Sequence, residues 1–200
     1  QSRSSAASDV YKRQAAHRQE ILNALFGASG LNLGFCRIPV GADDYAEDWY
    51  SCDETEGDFA LSSFSIERDR KYLIPYIREA QTVHPDMTFF ASPWSPPVWM
   101  KRPKAYNYGT IRMEPEVLTA YARYLGRFVQ SYGEEGIPIV QLHVQNEPFA
   151  DQKFPSCVWK PDDLRVFIRD YLGPLFKKES IPAEIFLGTL NLSLIHISEP

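Results

Sequence analysis

Residues 137–148 read IPIVQLHVQNEP, and this stretch decides the fold class. Its apolar, β-branched first half predicts a short, mostly buried strand. Pro148 cannot donate a hydrogen bond to a neighbouring strand, so the strand should end there. Glu147 would then sit at the carboxyl tip of a strand, directly after the carboxamide of Asn146. Catalytic groups occupy that position in an α/β barrel, although an isolated Asn-Glu-Pro is more often a solvated strand end.

Helical and strand patterns alternate along the rest of the chain. Apolar spacing predicts four helices: residues 17–26, Ser65 to about residue 80, 114–132, and 161–172 with a break at Gly173-Pro174. Strands are predicted over residues 31–40, 87–91, 137–143 and 185–188. Pro75 should start or kink the second helix. This alternation indicates parallel strands joined by crossover helices. The sequence has no Gly-x-Gly-x-x-Gly motif and no Walker loop, which disfavours the nucleotide-binding α/β folds.

Each of the first three predicted strands leads into a segment with polar or aromatic candidates for a site. These are Arg37 near the end of the first strand with Asp44 after it, Trp94 and Trp99 after the second, and Asn146 and Glu147 after the third. The two tryptophans lie on a proline-rich loop, SPWSPPVWMK at residues 92–101. They could form a lid on the core, but two of them on a rigid loop favour a displayed platform for a pyranose ring. Convergence of candidates at strand carboxyl ends predicts a (β/α)8 barrel.

Composition excludes several classes of function. The 200 residues carry 21 basic and 26 acidic side chains, a net charge of -5, and the basic residues are scattered, so nucleic acid is not an expected partner. No apolar run approaches the 18 residues that a membrane span requires. The three cysteines lack the spacing of a zinc site. Cys36 is expected to be a buried thiol, and a pairing of Cys52 with Cys157 stays open.

Both ends of the chain differ from its middle. Residues 1–14 (QSRSSAASDVYKRQ) are polar, and residues 192–200 (LSLIHISEP) follow the last predicted element abruptly. We interpret these as a non-native leader and a non-native tail, which flank a partial barrel domain at residues 15–191.

Three motifs together resemble one enzyme family. Residues 35–41 (FCRIPVG), 92–101 (SPWSPPVWMK) and 144–148 (VQNEP) are similar to glycoside hydrolase family 30, the glucosylceramidase and endo-β-1,6-glucanase family of the retaining clan A. The resemblance implies a fragment of a (β/α)8 TIM barrel, about strands 2 to 5, without the β-sandwich side domain of the family. It also implies a carbohydrate or glycolipid substrate, no metal, no other cofactor, and an extracellular or periplasmic location. The oligomeric state stays open.

The resemblance also assigns roles to the candidate residues. Glu147 would be the general acid/base, and Asn146 would contact the sugar 2-hydroxyl. Arg37, Asp44, Trp94 and Trp99 would line the glycone subsite. The nucleophile would be a second glutamate near the seventh strand, which this chain is not expected to contain. One departure concerns Lys101-Arg102-Pro103, which stands where many relatives have Lys-Thr-Asn and leaves the substrate undecided.

A retaining glycosidase uses two carboxyl groups in a double displacement. One protonates the leaving oxygen while the other attacks the anomeric carbon, and the first then activates water. Two alternatives stay open at this point. One is a carbohydrate-binding barrel without catalysis, and the other is a fragment that is inactive alone.

Overall fold

The structure, a computed structural model, describes residues 15–190. The predicted leader (residues 1–14), residue 191 and the whole predicted tail (residues 192–200) lie outside the described residues. The helices are α1 (Ala15–Phe26), α2 (Glu67–Lys71), α3 (Leu73–Val83), α4 (Pro115–Glu134), α5 (Pro161–Phe167) and α6 (Gly173–Glu179). The strands are β1 (Phe35–Val40), β2 (Thr88–Pro93), β3 (Lys101–Arg102), β4 (Thr110–Ile111), β5 (Ile139–His143) and β6 (Glu184–Phe186).

The main sheet has four strands in the order β1-β2-β5-β6, and every neighbouring pair is parallel. Strands β1 and β2 pair without a shift from Phe35 opposite Thr88 to Val40 opposite Pro93. The register between β2 and β5 shifts once, between Phe89 and Phe90. The sheet does not close, because β1 and β6 have neighbours on one side only in the described part. The prediction of a parallel α/β fold with strands in chain order is therefore confirmed.

The helices cover one face of this sheet and form the core with it. Alternate strand residues such as Ile38, Phe89 and Leu142 are buried under the helices. Helix α4 contributes a continuous buried stripe that includes Tyr121, Phe128 and Tyr132. The stripe follows the helical period, and Pro115 begins the helix, as Pro does where an N–H needs no partner.

A row of rings crosses the other face of the sheet, one from each strand. Phe35, Phe90, His143 and Phe186 follow one another with ring centroids 5.1, 4.6 and 5.0 Å apart. The two rings at the ends of this row are partly exposed to solvent: Phe35 is 49% exposed and Phe186 is 37% exposed. Arg37 lies two residues after Phe35, and side chains two apart on a strand share a face. The row therefore underlies the carboxyl end of the sheet, where the candidate residues lie.

The predicted break at Gly173-Pro174 is wrong. The helix continues to Glu179 through a π-helical turn at Ile168–Leu172. In this turn the amide of Gly173 donates to the carbonyl of Ile168, five residues back. A wider turn directly before Pro174 accommodates its ring and its missing N–H, both of which a regular α-helix would reject.

Other boundaries differ from the predictions by a few residues. Strand β1 begins at Phe35 and not at residue 31, because Leu31 and Leu33 donate backward to carbonyls of α1. The predicted helix from Ser65 is divided at Tyr72 into α2 and α3. Pro75 lies in the first turn of α3, where its missing N–H costs nothing, so the prediction of a start near Pro75 is confirmed. The Ser65 hydroxyl accepts from the amide of Glu67 at 3.1 Å, but the N-cap position of α2 belongs to Ile66.

All three cysteines are free thiols, so Cys52 and Cys157 do not form a disulfide. Within residues 15–190, no helix is long and apolar enough to cross a membrane.

Candidate active site

Glu147 is held in a strained backbone conformation just beyond β5. Its φ is 46°, in the left-handed region that a residue with a side chain rarely adopts. Two neighbouring strands hold this segment: Asn146 N donates to Pro93 O at 2.8 Å, and Glu147 N to Thr189 O at 2.8 Å. Such strain costs about 1–3 kcal/mol and persists only where surrounding contacts enforce it, a situation typical of active sites.

Arg37, Trp94 and Asn146 form one cluster beside Glu147. The Arg37 guanidinium carbon lies 4.5 Å from the centre of the Trp94 ring, and its Nη1 donates to Asn146 Oδ1 at 3.1 Å. Three neighbouring strands thus contribute one residue each, Arg37 from within β1 and the other two from just beyond β2 and β5. Because the Asn146 oxygen accepts from Arg37, its NH2 group is left as the donor for a ligand oxygen. A cation and an amide therefore meet at the carboxyl end of the sheet, and Glu147 follows that amide in the chain.

Two residues of this site carried no predicted role. Gln145 is fully buried, donates through Nε2 to Trp94 O at 2.7 Å, and accepts from Trp159 Nε1 at 3.2 Å. Gln145 therefore fixes the Trp94 loop to the segment that carries Asn146 and Glu147. The sequence contained one signal for it, a polar residue that continues an apolar strand. Trp159 is fourteen residues farther along the chain and had no such signal.

His143 and Thr189 extend the network below Glu147. The His143 Nδ1 and the Thr189 hydroxyl lie 3.1 Å apart, and that hydroxyl lies 3.4 Å from Ser92 Oγ. Burial lowers the pKa of His143, and the nearby charge of Arg37 lowers it further. A neutral imidazole is therefore favoured between the two phenylalanines that stack on it.

The structure does not display the tryptophan pair as predicted. Trp99 is 2% exposed: its Nε1 donates to Asp53 O at 3.1 Å, and its ring packs edge-to-face on Phe59. The expectation of exposed rings is wrong for both tryptophans, because Trp99 turns into the core and Arg37 covers Trp94. Trp94 is also buried, with Arg37 stacked on it, and it lies in the site cluster.

Asp44 stays outside the cluster in the part of the chain that the structure describes. It is exposed in the loop after β1. Its neighbour Asp43 has a raised pKa, mainly because of burial and in part because of the charge of Asp44. The loop closes on itself through a bond from Ala42 N to Tyr50 O at 2.9 Å.

A buried ammonium group connects two loops of this end of the sheet. Lys101 is fully buried, and its Nζ donates to Tyr106 O at 2.8 Å and to Ser156 O at 2.6 Å. Tyr106 follows β3, and Ser156 belongs to the segment that leaves Glu147. Burial lowers the pKa of Lys101 to about 8.

The cluster presents the polar groups of Arg37 and Asn146 beside the Trp94 ring. No group of three or more His, Cys, Asp or Glu side chains within residues 15–190 is arranged to hold a metal ion.

Comparisons with known proteins agree on the family. Residues 2–191 match the glycosyl hydrolase family 30 TIM-barrel domain. The chain is 28% identical to the lysosomal acid glucosylceramidase of Mus musculus over 84% of its length and 34% of that protein. It is 27% identical to an endo-1,6-beta-D-glucanase of Neurospora crassa over 86% of its length and 37% of that protein. The chain thus spans about a third of the length of these relatives.

Solved structures give the same result. The crystal structure of SrfJ from Salmonella typhimurium superposes with a TM-score of 0.84 at 28% identity, covering 90% of this chain and 41% of SrfJ. An endo-beta1,6-glucanase superposes with a TM-score of 0.83 at 25% identity and the same coverage. The four parallel strands therefore correspond to part of a closed barrel. The chain belongs to glycosyl hydrolase family 30 and forms part of its TIM-barrel domain.

Proposed function

We propose that the full-length protein carrying this chain is a retaining glycoside hydrolase that cleaves β-glycosidic bonds, with Glu147 as general acid/base. The observation that carries the proposal is the left-handed backbone of Glu147, held at the tip of β5 beside the Arg37–Asn146 pair. Structure that enforces strain on one carboxylic acid, next to a cation and an amide, is typical of a catalytic acid and not of a solvated strand end.

Each cluster residue has a role in this proposal. Asn146 binds the sugar 2-hydroxyl through its amide, and Arg37 holds that amide by its oxygen. Trp94, which is 4% exposed, supports the Arg37 guanidinium that lies on its ring and so helps to position it in the glycone subsite. Asp44, which is exposed in the loop after β1, would line the glycone subsite. The nucleophile is a second carboxylate, and we assign that role to no residue of this chain.

The substrate is proposed as a β-glucosylceramide or a β-1,6-glucan. Relatives named for both activities support this pair, and both substrates present a β-linked glucosyl unit. Hydrolysis proceeds by double displacement, in which Glu147 protonates the leaving oxygen and then takes a proton from water. The chemistry uses side chains alone.

The test is Glu147→Gln in the full-length protein. The amide keeps the shape but has no proton to donate, so oligosaccharides should lose about 100- to 10,000-fold in kcat/KM. The phenolate of an activated aryl β-glucoside leaves without protonation, so the glycosyl-enzyme should still form. The reaction should then stall at this intermediate, because the general base for water is missing. Azide needs no general base, so it should restore turnover and give a β-configured glycosyl azide.

Other outcomes would contradict the assignment. A nucleophile at this position would make activated substrates equally inactive, and any azide product would have the α configuration. A solvated strand-end residue would leave hydrolysis of both substrate classes unaffected. A full-length parent that binds sugar but hydrolyses neither substrate would instead favour a carbohydrate-binding barrel without catalysis.

A further inference from the structure

Exposed aromatic side chains collect on the three loops that surround the candidate site. Tyr45 and Trp49 lie after β1, Tyr108 after β3, and Phe149 two residues after Glu147, with exposures of 56, 44, 43 and 41%. Rings exposed to this extent on several adjacent loops indicate a binding surface more than chance exposure.

Trp49 makes a ring contact with a residue of a neighbouring loop. Its ring and that of Tyr106 meet edge-to-face, with centroids 6.5 Å apart and planes at 65°. The two residues come from different loops, one after β1 and the other after β3. The indole is thus held by a neighbouring ring while nearly half of it stays open to solvent.

Tyr106 is itself fixed from three sides. Its hydroxyl donates to Glu54, a carboxylate that also accepts from the hydroxyl of Ser51 at 2.8 Å. Its carbonyl accepts from Lys101 Nζ at 2.8 Å and from Ser156 N at 3.0 Å. Ser156 lies in the segment that leaves Glu147, so the pair is tied to the segment of the proposed acid. Fixing an exposed ring in advance lowers the entropic cost of binding a ligand.

We propose that the Trp49–Tyr106 pair is a subsite for a second sugar ring, next to the glucosyl unit that is cleaved. This inference rests on the proposed function and narrows its substrate to a β-linked oligosaccharide. A pyranose packs its C–H face on an indole while its hydroxyls bond to polar neighbours. The surroundings here are charged, with Glu47 exposed and Glu56 paired with Lys104. A ceramide chain on the same indole would desolvate these charges without replacing their hydrogen bonds.

The experiment compares Trp49→Ala with the parent in the full-length protein, on two substrates. A β-1,6-linked glucotriose reaches the subsite, whereas β-glucosyl fluoride has no second ring. Trp49→Ala should lower kcat/KM for the trisaccharide about 10- to 100-fold and leave the fluoride within about threefold. Trp49→Tyr should recover most of the loss, since it restores an aromatic face. Tyr72→Ala removes another exposed ring, 56% exposed between α2 and α3, and should change neither rate.

Equal losses on both substrates would overturn the proposal, because Trp49 would then act through the glycone site or the fold. Glucosylceramide is measured as a third substrate, and a loss confined to it would overturn the proposal and assign the surface to a lipid. Binding is measured separately by calorimetry, with the trisaccharide and the Glu147→Gln protein, with and without Trp49→Ala. If the parent cleaves neither substrate, the proposed function fails. Trisaccharide binding that Trp49→Ala weakens at least tenfold still supports the subsite, and unchanged or absent binding refutes it.

Discussion

The amide of Glu147 donates to the carbonyl oxygen of Thr189 at 2.8 Å, and the amide of Thr189 donates to Gln145 O at 3.0 Å. These two bonds extend the pairing of β5 with β6 beyond the regular strands. The two bonds join Thr189 to the residues on either side of Asn146. Asn146 and Glu147 are the two residues of this segment that are proposed to contact substrate. The segment after β6 therefore controls where the carboxylic acid lies.

Gly188→Ala tests this control. A Cβ at residue 188 would lie 2.6 Å from Gln145 O, so the segment after β6 must move away from β5. A displacement of about 1 Å at a catalytic group can cost about 100-fold, and we expect a loss of that size in kcat for the full-length protein. The measurement is kcat and melting temperature together.

The matched control is Gly133→Ala, where an added Cβ meets nothing within 4 Å in helix α4. It should leave kcat unchanged and slightly raise stability, since Ala is the better helix former. If Gly188→Ala also kept full kcat, the two hydrogen bonds at Thr189 would not position Glu147.

Local patterns predicted the strand tip at Glu147 but not its support. The apolar run and Pro148 determine the local backbone, since the run favours a strand and the proline ends it. The end of β5 and the Asn146–Glu147 pair could therefore be predicted from the sequence. Thr189 contributes backbone groups that any residue has, so no side-chain pattern could identify it. The orientation of Trp99 depends on Phe59 and Asp53, which lie 40 or more positions earlier in the chain, and a proline-rich loop is compatible with either orientation.

Trp94→Ala should lower catalytic efficiency, whereas Trp99→Ala should lower stability. Trp94 carries the stacked Arg37, so its loss should lower kcat/KM of the full-length protein about 100-fold. Trp99 packs in the core, so its loss should lower the free energy of unfolding by about 3–5 kcal/mol. Measuring kcat/KM and chemical denaturation for both variants distinguishes a role in the site from a role in the core. Unchanged kinetics with a lowered melting temperature for Trp94→Ala would make Trp94 a core residue as well.

Replacing tyrosine by phenylalanine at two buried positions of α4 should change the free energy of unfolding in different directions. The Tyr132 hydroxyl donates to the buried carboxylate of Asp69 at 2.8 Å, so Tyr132→Phe should cost about 1–3 kcal/mol of stability. The Tyr121 hydroxyl is buried without a hydrogen-bond partner among the described residues. Tyr121→Phe removes that unsatisfied group and should be neutral or stabilising by about 1 kcal/mol. Denaturant unfolding measures both, and a loss above about 1 kcal/mol for Tyr121→Phe would show that its hydroxyl has a partner.

Lys101 should make stability rise with pH in an alkaline window. Its pKa is lowered by burial from 10.5 to about 8 in the folded state. Below pH 8 both states carry the proton and burial of the charge opposes folding. Between about pH 8 and pH 10.5, only the unfolded state binds the Lys101 proton, so folding becomes more favourable as the pH rises. The amine keeps two N–H donors for Tyr106 O and Ser156 O, so both bonds can survive deprotonation.

The prediction is tested by the difference in unfolding free energy between the full-length protein and its Lys101→Met variant, because other titrating groups cancel in that difference. It should shift in favour of lysine by up to about 3 kcal/mol between pH 8 and 10.5 and be constant below pH 7. Titration of the Lys101 Nζ by NMR should give a midpoint near 8. A midpoint near 10.5 and a difference independent of pH would show that the two carbonyl bonds fully offset the cost of burying the charge.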